Sequence, residues 1–325
     1  MAPFLLAAAA AGVLFSALAQ GYANPEPCKG TSCGDGHDPA LARLSDGTYV
    51  RFSTGGGGRI YNAPSLSGPW TYKCDMLPSG SRISSSGSKD LWAPDVSLVG
   101  STYYVYYSVS DFGTQVSEIG LATSKTLECG TFTDHGSTGV SSVAGKSYNA
   151  IDPNLILVDG EYKLSFGSFW GDLFQVPMKT PPTAASGAAV ALAFEPKTTH
   201  AEEGSFMILR NGYYYLFYSH GQCCGLDTST PAAGDEYMIR VCRSLSATGP
   251  FIDEDSVSCQ NGGGTIVLQS HGDVYAPGGQ SVYLDPVEGS WVIIYHYFSR
   301  KKGVADADSL YSWNRLNWSN GWPSV

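Results

Sequence analysis

Short runs of apolar and aromatic residues recur along the whole chain, and Gly, Asp, Asn and Ser separate them. Runs of this length, bounded by turn-forming residues, are typical of β-strands, whereas a helix needs apolar positions three and four residues apart over a longer stretch. That helical periodicity is hard to find here. The pattern therefore predicts an all-β protein with few helices.

The strand pattern also repeats. Five segments begin with a short polar motif, continue into a strand, turn at Gly and return through an aromatic strand, and they start at His37, Ala93, Ala150, Glu202 and Ala276. Similar outer halves follow, so each repeat is expected to hold four strands. Repeats of this length indicate a β-propeller, here a single domain with five blades. Two successive β-sandwiches are the alternative, but they do not predict similar motifs at the start of each unit.

The first residues of the chain differ from the rest. Residues 1–19 carry no charged side chain and end in small residues before Gln20, which is typical of a secretory signal peptide, although an uncleaved anchor has a similar composition. The propeller is then expected over residues 20–325, in a secreted, extracellular protein. Eight cysteines after such a leader indicate disulfides, and their pairing stays open. Cys223 and Cys224 could bond to each other or to separate partners.

The overall charge narrows the choice of partner. A formal net charge of -10 and a pI near 5.0 do not suit binding to nucleic acid or to an anionic membrane, because both need a basic face. A neutral polymer is compatible with this charge. The protein is also expected to be a monomer.

Acidic residues lie near the predicted starts of several inner strands. Inner strands line the central channel of a propeller, so Asp38, Asp152 and Glu203 are expected to converge on one pocket although they are far apart in sequence. Glycoside hydrolysis needs such a pair or set of carboxylates. Asp95 lies 57 residues after Asp38 and 57 residues before Asp152, so by spacing it shares their repeat position. Spacing alone does not exclude it.

Several ordered motifs resemble family 43 of the glycoside hydrolases, in particular its endo-1,5-α-L-arabinanases. They are HDP at 37–39, WAPDV at 92–96, NAIDPNL at 149–155, SFWGD at 168–172, EGS at 203–205 and YSHGQCCG at 218–225. The resemblance implies that Asp38 is the general base, Glu203 the general acid and Asp152 the residue that orients the acid and raises its pKa. It implies inversion, with Asp95 outside the catalytic set. Glu202 is the rival proton donor.

The same resemblance implies a set of substrate contacts. Aromatic faces can pack on the apolar C–H surfaces of furanose rings, and polar groups can fix the orientation of the sugar. For each residue, a purely structural role in the core or a turn is the alternative. The implied contacts are Trp92, Gly113, Asn149, Ile151, Ser168, Phe169 and Trp170.

The resemblance implies no required cofactor. A structural or axial calcium ion is the alternative: many relatives carry a GPGH-like turn whose His approaches an axial ion, commonly calcium, through water, but residues 276–280 read APGGQ and lack that His. His271 is a substitute only if the fold brings it to the axis. No set of carboxylates has the spacing of a calcium loop.

The leading functional hypothesis is an endo-acting arabinanase that cleaves linear arabinan, a side chain of pectin. An exo-acting α-L-arabinofuranosidase or β-xylosidase is the second hypothesis, because the three carboxylates alone permit either. A propeller that binds carbohydrate without cutting it is the third. Such a binder would repeat one site in every blade, whereas the motifs here begin differently.

Overall fold

The computed structural model describes residues 21–197 and 199–325. The predicted signal peptide at 1–19 lies outside the described residues. Within them the chain forms β-strands and three short 3₁₀ turns, and no helix there has the length and apolar character to cross a membrane. The turns are Ser86–Lys89, Cys259–Asn261 and Asp306–Asp308. The prediction of an all-β protein is confirmed.

Four of the blades are four-stranded antiparallel sheets whose strands follow chain order. Their strands are β1 Ala40–Arg43, β2 Tyr49–Ser53, β3 Arg59–Ala63 and β4 Thr71–Asp75; β5 Trp92–Val99, β6 Thr102–Val109, β7 Ser117–Ser124 and β8 Thr133–Ser142; β9 Asn154–Val158, β10 Glu161–Phe166, β11 Leu173–Pro177 and β12 Val190–Ala193; β13 Glu202–Arg210, β14 Tyr213–His220, β15 Met238–Ser244 and β16 Thr265–Leu268. Each begins with one of the repeats found in the sequence.

The fifth blade differs from the prediction. It has three strands, β17 Val274–Asp285, β18 Ser290–Ser299 and β19 Leu310–Arg315. The prediction of four strands in every repeat is therefore wrong for this blade. The N-terminal segment pairs with the outer edge of this blade instead. Glu26 N–H donates to the Trp313 carbonyl at 3.0 Å, and farther along β19 the Tyr311 N–H donates to the Cys33 carbonyl at 2.9 Å. The two ends of the chain thereby close the ring.

The last residues add a small hairpin beside the ring. Its strands are β20 Asn317–Ser319 and β21 Trp322–Ser324, which pair antiparallel. Trp318 and Trp322 of this hairpin pack against the apolar cluster between the fourth and fifth blades. The hairpin therefore covers core residues that the short fifth sheet would leave at the surface.

The apolar runs are explained by packing between blades. Five buried clusters lie at the five blade interfaces, for example one with Phe217 and Ile293 between the fourth and fifth blades and one with Phe52 and Val105 between the first and second. A strand between two neighbouring blades is buried on both faces, so its sequence is continuously apolar rather than alternating. This explains YYYLFYSH in β14, where seven of eight residues are buried.

A residue with positive φ lies within two residues of the first residue of each inner strand. These residues are Asp38 (47°), Ala93 (42°), Asp152 (59°), Gly204 (63°) and Ala276 (49°). Asp38 is therefore equivalent to Ala93, and Asp95 lies two residues beyond that position. The interpretation that Asp95 shares the repeat position of Asp38 is wrong, because the equal spacing arises from connections of unequal length between blades.

All eight cysteines form disulfides: Cys28–Cys33, Cys74–Cys129, Cys223–Cys224 and Cys242–Cys259. Cys74 lies on the outer strand of the first blade and Cys129 follows β7 of the second, so this bond joins two blades. The adjacent pair bonds to itself, which settles the alternative left open by the sequence.

The bond between the first two blades is expected to contribute most to stability. Cys74 and Cys129 are 55 residues apart, and closing a loop of that length in the unfolded chain corresponds to about 4 kcal/mol, against about 2 kcal/mol for the five-residue separation of Cys28 and Cys33. Denaturant unfolding of the two double Cys→Ser variants measures the difference. An equal loss in both would contradict this explanation.

Candidate active site

One cleft of about 700 Å³ holds the three carboxylates that the sequence singles out. Asp38, Asp152 and Glu203 come from the first, third and fourth blades, and they meet because the inner strands converge at the axis. The seven implied substrate contacts line the same cleft: Trp92, Gly113, Asn149, Ile151, Ser168, Phe169 and Trp170. The fold thus brings together every site residue named from the sequence.

Asp38 is held by its neighbours in an accessible position. The Thr54 hydroxyl donates to Asp38 Oδ2 at 2.7 Å, and the Asp38 backbone N–H donates to His296 Nδ1 at 3.2 Å. The Asp38 side chain is 27% exposed. Gly279 approaches so closely that an added Cβ would lie 2.3 Å from Asp38 Oδ1, so only glycine fits there.

Asp152 stands at the equivalent position of the third blade. Its backbone N–H donates to Ser108 Oγ at 3.0 Å, and its Oδ2 accepts the N–H of Gly204 at 2.9 Å. Gly204 directly follows Glu203. Asp152 therefore holds the backbone next to Glu203 and contributes a negative charge close to that side chain.

Glu203 is almost fully buried, with 8% of the residue exposed. Ser168 Oγ donates to its Oε2 at 2.6 Å, and the Tyr237 hydroxyl donates to its Oε1 at 2.9 Å. Glu202 precedes it in β13, where successive side chains point to opposite faces, and Glu202 does not line the cleft. Of these two neighbours, only Glu203 can reach a bound substrate.

Burial and mutual repulsion favour the retention of one proton by the pair Asp152 and Glu203. Burial raises the pKa of Glu203, and the charge of Asp38 adds to that effect, while the bonds from Ser168 and Tyr237 lower it. Burial raises the pKa of Asp152 well above its ordinary value, and the charges of Glu203 and Asp38 raise it further. One proton shared by this pair therefore stays available for donation above the pH at which an ordinary carboxyl group ionises.

Tyr237→Phe tests the hydrogen bond to Glu203. The bond stabilises the ionised carboxylate, so its loss raises the pKa of Glu203 further. If Glu203 acts as an acid, activity is lost as pH rises through that pKa, and the alkaline limb of the kcat/KM profile is expected to move to higher pH. An alkaline limb that stays in place would contradict the assignment of Glu203 to that limb.

Several polar groups near the carboxylates already form hydrogen bonds within the protein. Asn149 Oδ1 accepts from Ser117 Oγ at 2.6 Å, and the Ser168 hydroxyl is committed to Glu203. The N–H of Ile151 donates to Asn149 O, and its carbonyl accepts from Gly167 N–H. Ile151 thus offers mainly its side chain to the cleft, rather than the polar backbone contact implied by the resemblance.

Aromatic rings form much of the cleft wall. Trp170 is 40% exposed and Phe112, which the sequence did not single out, is 77% exposed. Phe169 and Trp170 both have φ of 52°, a conformation that costs an aromatic residue energy and is concentrated at functional sites. The backbone there is held so that both rings reach the cleft. Gly113, next to Phe112, has φ of 76°.

Other site residues were also missed by sequence reasoning. Tyr237 and Thr54 donate to the carboxylates of Glu203 and Asp38, and His296 accepts the backbone N–H of Asp38, but each is one of several residues of its type in an apolar or turn segment. The bonded pair Cys223–Cys224 lines the cleft as well. This pair was not missed, because the resemblance carried by the YSHGQCCG motif implies that its loop flanks the cleft.

One group of donor atoms lies near the axis, where relatives of this family hold an ion. His37, Asp38 and His296 each offer one atom within 4.8 Å of the others. His296 Nδ1 accepts the Asp38 N–H, which places the proton of this neutral imidazole on Nε2. One carboxylate and imidazole nitrogens do not fit the six to eight oxygens that calcium takes. His271 bonds to Gln269 O and contacts the Tyr22 ring instead.

Asp95 lies beneath the cleft in a structural role. It is 4% exposed, and its two oxygens accept from Asn154 Nδ2 and Leu155 N–H, both at 3.0 Å. It therefore links the inner strands of the second and third blades. Burial raises its pKa to about 6.

Comparison with known proteins places this site in context. The model of "Glycosyl hydrolases family 43" matches residues 31–323. The arabinan endo-1,5-α-L-arabinosidase A of Aspergillus niger is 56% identical over 96% of this chain and 97% of its own. An exo-1,5-α-L-arabinanase from a bovine ruminal metagenomic library superposes with a TM-score of 0.80 at 30% identity, covering 91% and 98% of the two chains. Cellvibrio cellulosa α-L-arabinanase in complex with arabinohexaose gives 0.79 at 29%, covering 90% and 95%.

Proposed function

Because this chain belongs to family 43 of the glycosyl hydrolases, we propose that it is an endo-acting, inverting arabinanase that cleaves internal α-1,5-L-arabinofuranosidic bonds of linear arabinan. The observation that carries the proposal is one cleft with three convergent carboxylates, in a chain that is 56% identical to a fungal endo-arabinosidase. Aromatic walls next to those carboxylates suit a chain of furanose rings.

The reaction follows from the different surroundings of the acids. Asp38 removes a proton from water, and the water oxygen bonds to the anomeric carbon as the glycosidic bond breaks. Glu203 donates its proton to the departing oxygen. The attack comes from the face opposite the leaving group, so the configuration inverts. These steps use two carboxyl groups and water, and they call for no cofactor.

Asp152 acts through Glu203 in this scheme. Its negative charge disfavours ionisation of the neighbouring acid, and its bond to Gly204 N–H fixes the backbone beside Glu203. We assign it a positioning role. The four disulfides are consistent with action outside the cell, where thiols oxidise.

Exo action is the second candidate, because a solved exo-arabinanase shares the fold. The two modes differ in how chain length falls. On debranched linear arabinan, an endo enzyme lowers viscosity steeply while few reducing ends have formed, and it releases oligosaccharides of mixed length. Early release of arabinose or one short product, with slow loss of viscosity, would contradict the endo assignment. Parallel assays on arabinoxylan and p-nitrophenyl arabinofuranoside define the substrate class.

A further inference from the structure

A second group of ionisable side chains lies behind the catalytic acid, at the joint between the third and fourth blades. Glu195 follows β12, Glu202 begins β13, and His220 ends β14. Glu202 and His220 are directly opposite each other in the β13–β14 ladder. The cluster is therefore built by backbone pairing and does not depend on flexible loops alone.

These side chains are buried, and two of the three lack hydrogen-bond partners. His220 Nδ1 lies 3.7 Å from Glu202 Oε1 and 3.8 Å from Glu195 Oε2, and the side chains of His220, Glu202 and Glu195 are 5%, 0% and 5% exposed. Glu195 Oε1 accepts the N–H of Lys197 at 3.0 Å, whereas both carboxylate oxygens of Glu202 and the Nδ1 of His220 have no hydrogen-bond partner among residues 21–197 and 199–325. Buried polar atoms are nearly always paired, because an unpaired one is costly. The unpaired atoms of Glu202 and His220 therefore indicate that this group binds a ligand.

The charge of the surroundings is negative. Glu195, Glu202 and the neighbouring Asp172, which is fully buried, supply three carboxyl groups. Arg240 is the nearest cation, with its Nη1 3.9 Å from Glu195 Oε2. One guanidinium does not balance three carboxylates.

We propose that Glu195, Glu202 and His220 bind one divalent transition-metal ion, with zinc as the best match, at the joint between the third and fourth blades. Each residue offers a ligand atom within 4.8 Å of the other two. Zinc takes imidazole nitrogen and carboxylate oxygen at about 2.0–2.2 Å in a tetrahedral arrangement, which puts ligand atoms roughly 3.3–3.6 Å apart. The separations of 3.7 and 3.8 Å need only a small contraction.

Ligand chemistry selects the class of ion. Imidazole suits zinc, copper, iron and nickel, whereas calcium and magnesium prefer sites made of oxygen alone. A divalent ion also offsets the negative charge of Asp172, Glu195 and Glu202 that the positive charge of Arg240 leaves unbalanced. A proton on Glu202 is the competing way to relieve the cluster, since burial raises its pKa well above the ordinary value.

The position of the ion gives it a structural role. The carbonyl of Glu202 accepts the N–H of Phe169 at 3.0 Å, and Glu203 is the next residue. A metal on the Glu202 side chain would fix the start of β13 against the third blade. It would support the loop that carries Phe169 and hold the acid in place without touching the substrate.

Metal content and thermal unfolding test this proposal without reference to activity. The full-length secreted protein is treated with a chelator, dialysed, and then given zinc chloride or calcium chloride. We expect about one zinc per chain by elemental analysis and a higher Tm with zinc, because a ligand that binds only the folded state stabilises it. Zinc affinity is expected to fall more than about 100-fold in His220→Gln.

Two variants make the test specific. His135→Gln removes an exposed histidine on the second blade and is expected to retain zinc binding. Glu202→Gln keeps the shape and removes the unpaired charge, so it should fold and lose the zinc response even if His220→Gln is unstable. Absence of zinc from the native protein, full retention in both cluster variants, or a response to calcium alone would overturn the proposal.

Discussion

Glu203→Gln is expected to lower kcat on linear arabinan by about 100-fold to 10,000-fold, the usual contribution of a general acid. The amide keeps the size of the side chain and can still bond to Ser168 and Tyr237, but it has no proton to donate. The alkoxide leaving group of arabinan needs that proton. A p-nitrophenolate leaving group does not, so p-nitrophenyl arabinofuranoside, where it is turned over, should suffer a much smaller loss of kcat.

The comparison between the two substrates separates chemistry from misfolding. A misfolded variant loses both activities equally, whereas loss of the acid affects mainly the poor leaving group. Glu161→Gln, which changes an exposed glutamate on β10, serves as the matched control and should behave like the native enzyme. Equal losses on both substrates with an unchanged Tm would contradict the assignment of the acid.

Asp38→Asn is expected to reduce kcat on every glycoside by a similar factor of about 100 to 10,000, because water must be activated whatever the leaving group. Asparagine tolerates positive φ, so the backbone at 47° should be preserved. Steady-state kinetics on arabinan and on the aryl glycoside measures both effects. The pattern differs from that of Glu203→Gln, since no improved leaving group compensates for a missing base.

Asp159→Asn is the control for this substitution. Asp159 also has positive φ, at 50°, and it lies exposed in the turn between β9 and β10, far from any assigned chemistry. Native activity in this variant shows that an Asp-to-Asn change in this backbone conformation is harmless. Substantial activity in Asp38→Asn on arabinan would remove Asp38 from the role of base.

The repeat in the sequence was enough to predict the propeller and the meeting of Asp38, Asp152 and Glu203. Inner strands leave a clear pattern because they are buried on both faces and begin with a short polar motif. Asp95 shows the limit of spacing as a guide. Asp95 is equally far from Asp38 and Asp152 in sequence, yet it lies two residues beyond the position that is equivalent to theirs. Only the positive φ of Ala93 shows which residue of the second blade is the equivalent one.

Other features depend on tertiary contacts that leave little trace in the sequence. The N-terminal segment replaces a strand of the fifth blade, and nothing in residues 24–36 resembles a blade motif. Tyr237, which directly precedes β15, reaches Glu203 from a distant part of the chain, but it is one of 20 tyrosines. The pairing of Cys74 with Cys129 follows from the contact between two blades, which sequence separation does not reveal.

The central claim is that Asp38 and Glu203 act on opposite faces of the sugar in a single displacement. Proton NMR of the first turnovers on linear arabinan tests it directly, because the anomeric configuration of the new reducing end is visible before mutarotation. We predict that the β-anomer appears first from the α-linked substrate, followed by slow equilibration. Initial formation of the α-anomer would mean retention and would contradict the mechanism.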